Sequence, residues 1–119
     1  MYSERLLEHF QNPRNVGALD EADIRAEVSN PICGDILLLT AMLDSGRIQQ
    51  IGYKARGCTA SIAAGSALTE LLLGKTADEA SRLSRADVEE AVGGLSNESK
   101  HAAVLAIDGV QALLRGWPA

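Results

Sequence analysis

The chain has 119 residues with a net charge of −5, 46% hydrophobic and 23% charged residues. That balance excludes a disordered or low-complexity chain, and the length suits one ordinary core. The acidic charge and the 3% aromatic content argue against nucleic-acid binding, which needs a basic surface and stacking rings. No stretch approaches the roughly 18 consecutive apolar residues of a membrane span. The charged, amphipathic start, MYSERLLEHFQNPRN, has no apolar signal-peptide core. Two cysteines, Cys33 and Cys58, are too few for a disulfide framework and fit reduced thiols in a cytoplasmic protein.

In chain order, Ser3 is the expected N-cap of a short helix over 4–10, with Leu6, Leu7 and Phe10 as its apolar face. Asn12-Pro13 ends it, because the residue before proline avoids the helical region. Asn15-Val16-Gly17 reads as a turn. Three strands come next. Ile24, Ala26 and Val28 alternate with polar residues, the mark of a half-buried strand. Residues 36–43 are apolar on both faces and predict a central strand. Asp44-Ser45-Gly46 is a hairpin turn, and Ile51, Tyr53 and Ala55 alternate with Gly52, Lys54 and Arg56. An antiparallel meander results.

The second half reads as helical. Residues 59–73 carry apolar side chains at 60, 64, 67, 68 and 71, with Gly74 as the stop. The first half of this segment is rich in Ala, Gly and Ser, which permits close approach to another element. Thr76-Ala77-Asp78-Glu79 is a capping-box start, and Ser84-Arg85-Ala86-Asp87 a second helix start. Gly93-Gly94 breaks the chain. A last helix is predicted over 99–114, with Ala103, Ile107, Val110, Leu114 and Trp117 as its core stripe. Gly109 costs that helix roughly 1 kcal/mol against alanine. Strands followed by helices indicate an α+β sandwich, a three-stranded antiparallel sheet with helices packed on one face.

Four residues can carry chemistry. Cys33 and Asp35 sit in a Pro31-Ile32-Cys33-Gly34-Asp35 turn, with both side chains able to project from its tip. Cys58 stands where a strand becomes a helix. The unpaired N–H groups and the positive dipole end there favour a thiolate, and Arg56 adds positive charge. His101 opens the last helix, on a row through Leu105 and Asp108 away from the predicted core stripe. Two thiolates, a carboxylate and an imidazole form a ligand set for Zn²⁺ or for an iron–sulfur cluster, if they meet in space. Each also has a bland reading: a hairpin turn with a buried thiol, a small filler at a junction, a surface histidine. A Cys58 nucleophile served by His101 is the enzyme reading, but no oxyanion-hole element is evident. His9 is assigned no role.

At these residues the sequence resembles a known family. Tyr2-Ser3-Glu4 and His9-Phe10-Gln11-Asn12-Pro13-Arg14-Asn15-Val16-Gly17 resemble the opening of IscU/NifU-type iron–sulfur cluster assembly scaffolds. Cys33-Gly34-Asp35 matches their first ligand turn. Gly57-Cys58, Thr69-Glu70, Gly74-Lys75-Thr76 and Asp78-Glu79-Ala80 match the region of their second. Lys100-His101, Leu105-Ala106 and Asp108 match the third. The resemblance runs in order over nearly the whole chain and implies one NifU-like N-terminal domain over residues 1–119, a SufE/NifU-like sandwich.

It also implies a scaffold rather than an enzyme. Such a scaffold builds a [2Fe–2S] cluster or binds zinc. It receives sulfur from a cysteine desulfurase and passes the cluster to apo-protein acceptors. By this resemblance Cys33, Asp35, Cys58 and His101 are the ligands. One departure stands out. The family's third cysteine is expected directly after His101, where this chain has Ala102. A Leu-Pro-Pro-Val-Lys-type stretch ahead of it is replaced by Leu95-Ser96-Asn97-Glu98-Ser99-Lys100. The chaperone contact and the sulfur-acceptor role tied to those residues lose their basis here. A cluster shared by two copies, each giving two cysteines, is compatible with the sequence. The competing reading is a degenerate member, a zinc-binding or regulatory interaction module without cluster assembly.

Overall fold

Ser3 opens the first helix as expected: its hydroxyl accepts the Leu6 N–H at 3.0 Å, and α1 runs Glu4–Gln11. The computed structural model describes residues 2–31 and 34–118. The inward face of α1 differs from the sequence expectation. Leu6 is buried, but Leu7 and Phe10 are each 38% exposed, and His9 takes the second inward position. A polar side chain can be buried there because it is satisfied. Nδ1 of His9 lies 2.8 Å from the Ser66 hydroxyl, and Nε2 lies 3.5 Å from Glu70. Burial, and secondarily the Arg14 guanidinium, holds the His9 pKa below the ordinary histidine value.

The segment after α1 is tied to both α2 (Thr59–Leu72) and the sheet. The backbone N–H of Arg14 donates to the Ser66 hydroxyl at 2.9 Å, and the Asn15 amide donates to Thr69 at 3.0 Å. Val16 then bridges Tyr53 in parallel sense, with the Gly17 N–H donating to the Tyr53 carbonyl at 2.8 Å and the Tyr53 N–H to the Asn15 carbonyl at 2.9 Å. The run that reads as a turn in sequence therefore also covers a sheet edge.

The sheet has the expected antiparallel order β1-β2-β3, with β1 Ile24–Asn30, β2 Asp35–Asp44 and β3 Arg47–Arg56. Ala26 pairs with Leu39 and Leu39 with Tyr53, so the apolar alternation of all three strands falls on one face. Leu37, Leu39, Ala41, Ile51 and Tyr53 are buried there. On the other face Leu38 lies between its pairing partners Glu27 and Lys54. Ser45 and Gly46 both have positive φ, 54° and 78°, which is the two-residue hairpin geometry matching strand twist. A register shift between Met42 and Leu43 bends the hairpin near this turn.

Helices cover the inner face. α2 lies on β3, and α5, His101–Gly116, lies on β1 and β2. The small residues of α2 have a specific use: a Cβ at Gly65 would sit 2.6 Å from the Tyr53 ring. Gly109 likewise lets α5 approach the sheet, since a Cβ there would lie 3.0 Å from both Leu37 and Leu39. Its helix-propensity cost is thus offset by packing. Two short helices, α3 (Ala77–Ser81) and α4 (Arg85–Ala91), both begin with complete capping boxes, at Thr76/Glu79 and Ser84/Asp87.

The α5 stripe is broader than predicted and turned relative to it. Ala102, Ala103, Leu105, Ala106, Val110 and Leu113 are buried, whereas Ile107, Leu114 and Trp117 are only partly so. The cause is that α5 touches the sheet, α2 and α4 together, so more than one row of side chains is enclosed. Among the described residues no helix is long and apolar enough to cross a membrane.

Candidate metal centre

Three chain segments end at the same place. Asp35 is the first residue of β2 and only 3% exposed, so it does not project from the turn tip as the sequence suggested. β3 ends at Arg56, and Gly57 turns the chain with φ 148° so that Cys58 becomes the N-cap of α2. The Cys58 side chain makes no capping hydrogen bond, which leaves its sulfur free to face the site. A single 3-10 turn, Asn97–Ser99, then delivers His101 to the first position of α5.

These three side chains converge. One ligand atom each from Asp35, Cys58 and His101 lie within 4.8 Å of one another. Cys58 Sγ is 3.4 Å from His101 Nε2 and 3.8 Å from Asp35 Oδ2, and His101 Nε2 is 3.4 Å from Asp35 Oδ2. Bond lengths of 2.0–2.3 Å to a tetrahedral metal place neighbouring ligand atoms roughly 3.3–3.6 Å apart. The three separations therefore approximate one face of a tetrahedron.

His101 is oriented for such a role. Its Nδ1 is 3.0 Å from the Glu98 carbonyl, an acceptor only, so Nδ1 carries the hydrogen and donates. In the neutral ring Nε2 then holds a lone pair aimed at Cys58 and Asp35, the arrangement that fixes tautomer and direction in metal-binding histidines. The row from His101 through Leu105 is not a surface row, since Leu105 is 3% exposed. His101 itself is partly buried.

Two further residues, to which the sequence alone gives no place in the site, shape it. Ser61 lies one helical turn after Cys58. Its hydroxyl donates to Asp35 Oδ2 at 2.6 Å and lies 3.4 Å from Cys58 Sγ. The three-residue spacing from Cys58 at a helix start was the available signal. Gly57 is required beside Asp35: a Cβ there would come within 2.3 Å of Oδ1. Arg56, expected to support the thiolate, is exposed. It lines a shallow hollow on the outer sheet face with Glu27, Ile36, Leu38 and Lys54. Cys33 lies outside the described residues, two positions before Asp35. Ala102, at the position where a third cysteine is expected, is 1% exposed.

A Cys/Asp/His cluster at one end of a helix-covered antiparallel sheet defines a small α+β protein with a group of side chains that could hold a metal ion. The family model for the NifU-like N terminal domain matches residues 1–119. Among relatives, the iron-sulfur cluster assembly scaffold protein IscU 1 of Archaeoglobus fulgidus is 42% identical over 111 residues, covering 93% of this chain and 72% of that protein. The scaffold protein IscU of Haemophilus influenzae is 34% identical over 122 residues, covering 99% and 96% respectively. The chain belongs to the NifU-like N-terminal domain family of IscU/NifU-type scaffolds.

Solved structures agree on the fold. A putative iron-sulfur cluster assembly scaffold for the SUF system from Fervidobacterium islandicum superposes with a TM-score of 0.78 at 18% identity, covering 95% of this chain and 96% of that one. A NifU-like N-terminal protein from Brucella abortus gives 0.74 at 20% identity, with 96% and 92% covered.

Proposed function

We propose that this chain is an iron–sulfur cluster assembly scaffold in the cytoplasm whose cargo, a [2Fe–2S] cluster, is held by Cys33, Asp35, Cys58 and His101. It acts as a platform rather than a catalyst. A cysteine desulfurase would supply the sulfur, and apo-proteins would accept the cluster. The observation that carries the reading is the set of separations among Cys58 Sγ, His101 Nε2 and Asp35 Oδ2, 3.4–3.8 Å, with the Nε2 lone pair turned into this cluster by the Nδ1 bond to Glu98. The names of the relatives, which are scaffold proteins, agree with it.

A cluster on this set has only two thiolates. Mixed coordination is chemically sound, as histidines replace two cysteines on one iron of Rieske clusters. The same donors suit Zn²⁺, and the near-tetrahedral spacing makes zinc the second reading, a binding module without cluster assembly.

Anaerobic reconstitution of the full chain with iron and sulfide separates the two. The scaffold reading expects a visible chromophore that survives desalting, with iron and acid-labile sulfide in equal amounts. A colourless protein that retains Zn²⁺ would overturn it in favour of the module.

Position 102 gives a gain-of-function check. Ala102→Cys supplies the thiolate that the family resemblance places beside His101. It is expected to slow cluster loss to a chelator by about tenfold, about 1.4 kcal/mol of added binding. An unchanged loss rate would mean that the side chain at 102 does not reach the ligand group.

A further inference from the structure

Among the described residues, the hydroxyl of Ser61 is the polar group at the site that the ligand set leaves without a task. It is 3% exposed, and its position is defined by two contacts, Asp35 Oδ2 at 2.6 Å and Cys58 Sγ at 3.4 Å. A serine carries a single hydrogen. The short contact to a carboxylate oxygen takes it, as a charge-assisted bond, and leaves the oxygen lone pairs facing the Cys58 sulfur. The other oxygen of Asp35 is also confined, because its surroundings leave no room for even a methyl group on Gly57. The carboxylate thus lies beside Gly57 on one side and is hydrogen-bonded by the Ser61 hydroxyl on the other.

Resting on the ligand reading above, we propose that Ser61 is a positioning residue for cargo binding: it holds the Asp35 carboxylate in register with Cys58 and His101, and so sets how strongly the site retains its metal. The placement on α2 gives this a structural logic. Cys58 and Ser61 sit on the same first helical turn, so one rigid element positions a ligand directly and a second ligand through its hydrogen bond. Without the hydroxyl, Oδ2 would keep, among the described residues, only the longer contacts to His101 and Cys58. The carboxylate would then have to be ordered at the moment of binding. Loss of a hydrogen-bond partner that orients a metal ligand typically costs about 10–100-fold in affinity.

The test is an anaerobic titration of the full chain with Co²⁺ alone, read by the thiolate-to-cobalt charge-transfer band and the d–d bands. The variants are Ser61→Ala, Asp35→Ala, the two combined, and Ser61→Thr. Ser61→Ala is expected to weaken Co²⁺ binding roughly 10–100-fold. It should have no further effect once Asp35 is alanine, and Ser61→Thr should recover most of the affinity. Non-additivity of that kind is the signature of a residue acting through another, which a general loss of packing would not produce. Wild-type affinity in Ser61→Ala, or a full additional loss in the Asp35→Ala background, would overturn the assignment. A wild-type chain with no thiolate–cobalt band would instead overturn the ligand reading, and this inference with it.

Discussion

Cys58→Ala is expected to reduce retained iron and sulfide after reconstitution to background, a fall of more than about 100-fold in binding, while leaving the fold intact. The size of the effect comes from donor chemistry. A thiolate is the strongest donor the site offers to iron or zinc, and Cys58 is the thiol whose sulfur faces both His101 Nε2 and Asp35 Oδ2. An imidazole, a carboxylate and the single thiol of Cys33 would remain in the proposed set, too few soft donors to retain a cluster. The fold should tolerate the change, because the Cys58 side chain makes no capping bond to α2 and is only half-buried. Stability is therefore expected within about 1 kcal/mol of wild type. Iron and sulfide counts on the desalted variant, beside a thermal melt, test both halves. A variant that keeps its cluster would place the binding site elsewhere.

The second large effect concerns stability. Gly52→Ala is expected to cost about 3–4 kcal/mol, with a fall in Tm on the order of 10–15 °C. Gly52 is buried in β3, and a Cβ on it would lie 2.2 Å from the backbone carbonyl oxygen of Gly17 and 3.1 Å from the Thr40 hydroxyl. Neither side can yield cheaply. The Gly17 backbone is held by its bond to Tyr53, and Thr40 accepts the Leu19 N–H at 2.9 Å. The methyl group would lift the 15–19 segment off the sheet edge and leave the Tyr53 N–H without its partner. A melt of the variant reads the loss directly, and amide exchange at Gly17 and Tyr53 would localise it. An unchanged Tm would mean that this segment can shift without losing its bonds.

The same segment shows why parts of the sequence were legible and others were not. The His9 to Gly17 run carries much of the family resemblance, yet its local pattern shows only a helix stop and a turn. In the structure it is a fastener, joining α1 to α2 through Ser66 and Thr69 and capping the β3 edge through Tyr53. Those partners lie far along the chain, so neither periodicity nor turn chemistry could point to them. His9 shows no role in the sequence for the same reason: an inward imidazole is indistinguishable from a surface one until Ser66 and Glu70 are in place.

By itself the sequence determined the features that short-range physics controls. Period-two alternation set β1 and β3 and which of their faces is buried, and a run apolar on both faces set β2. Ser45-Gly46 set the hairpin, Thr76 and Ser84 set helix starts, and the residue types at 33, 35, 58 and 101 offered a set of donors suited to a metal. Tertiary structure decided the features that depend on distant neighbours. It set the wider face that α5 buries and the need for glycine at 52, 65 and 109, where a second backbone or side chain comes close. It also brought Asp35, Cys58 and His101 together from three elements and added Ser61 to them. The physical reason is range: hydrogen bonding and hydrophobic patterning along a chain act over a few residues. The candidate site is made where element ends far apart in sequence are brought to the same few ångströms.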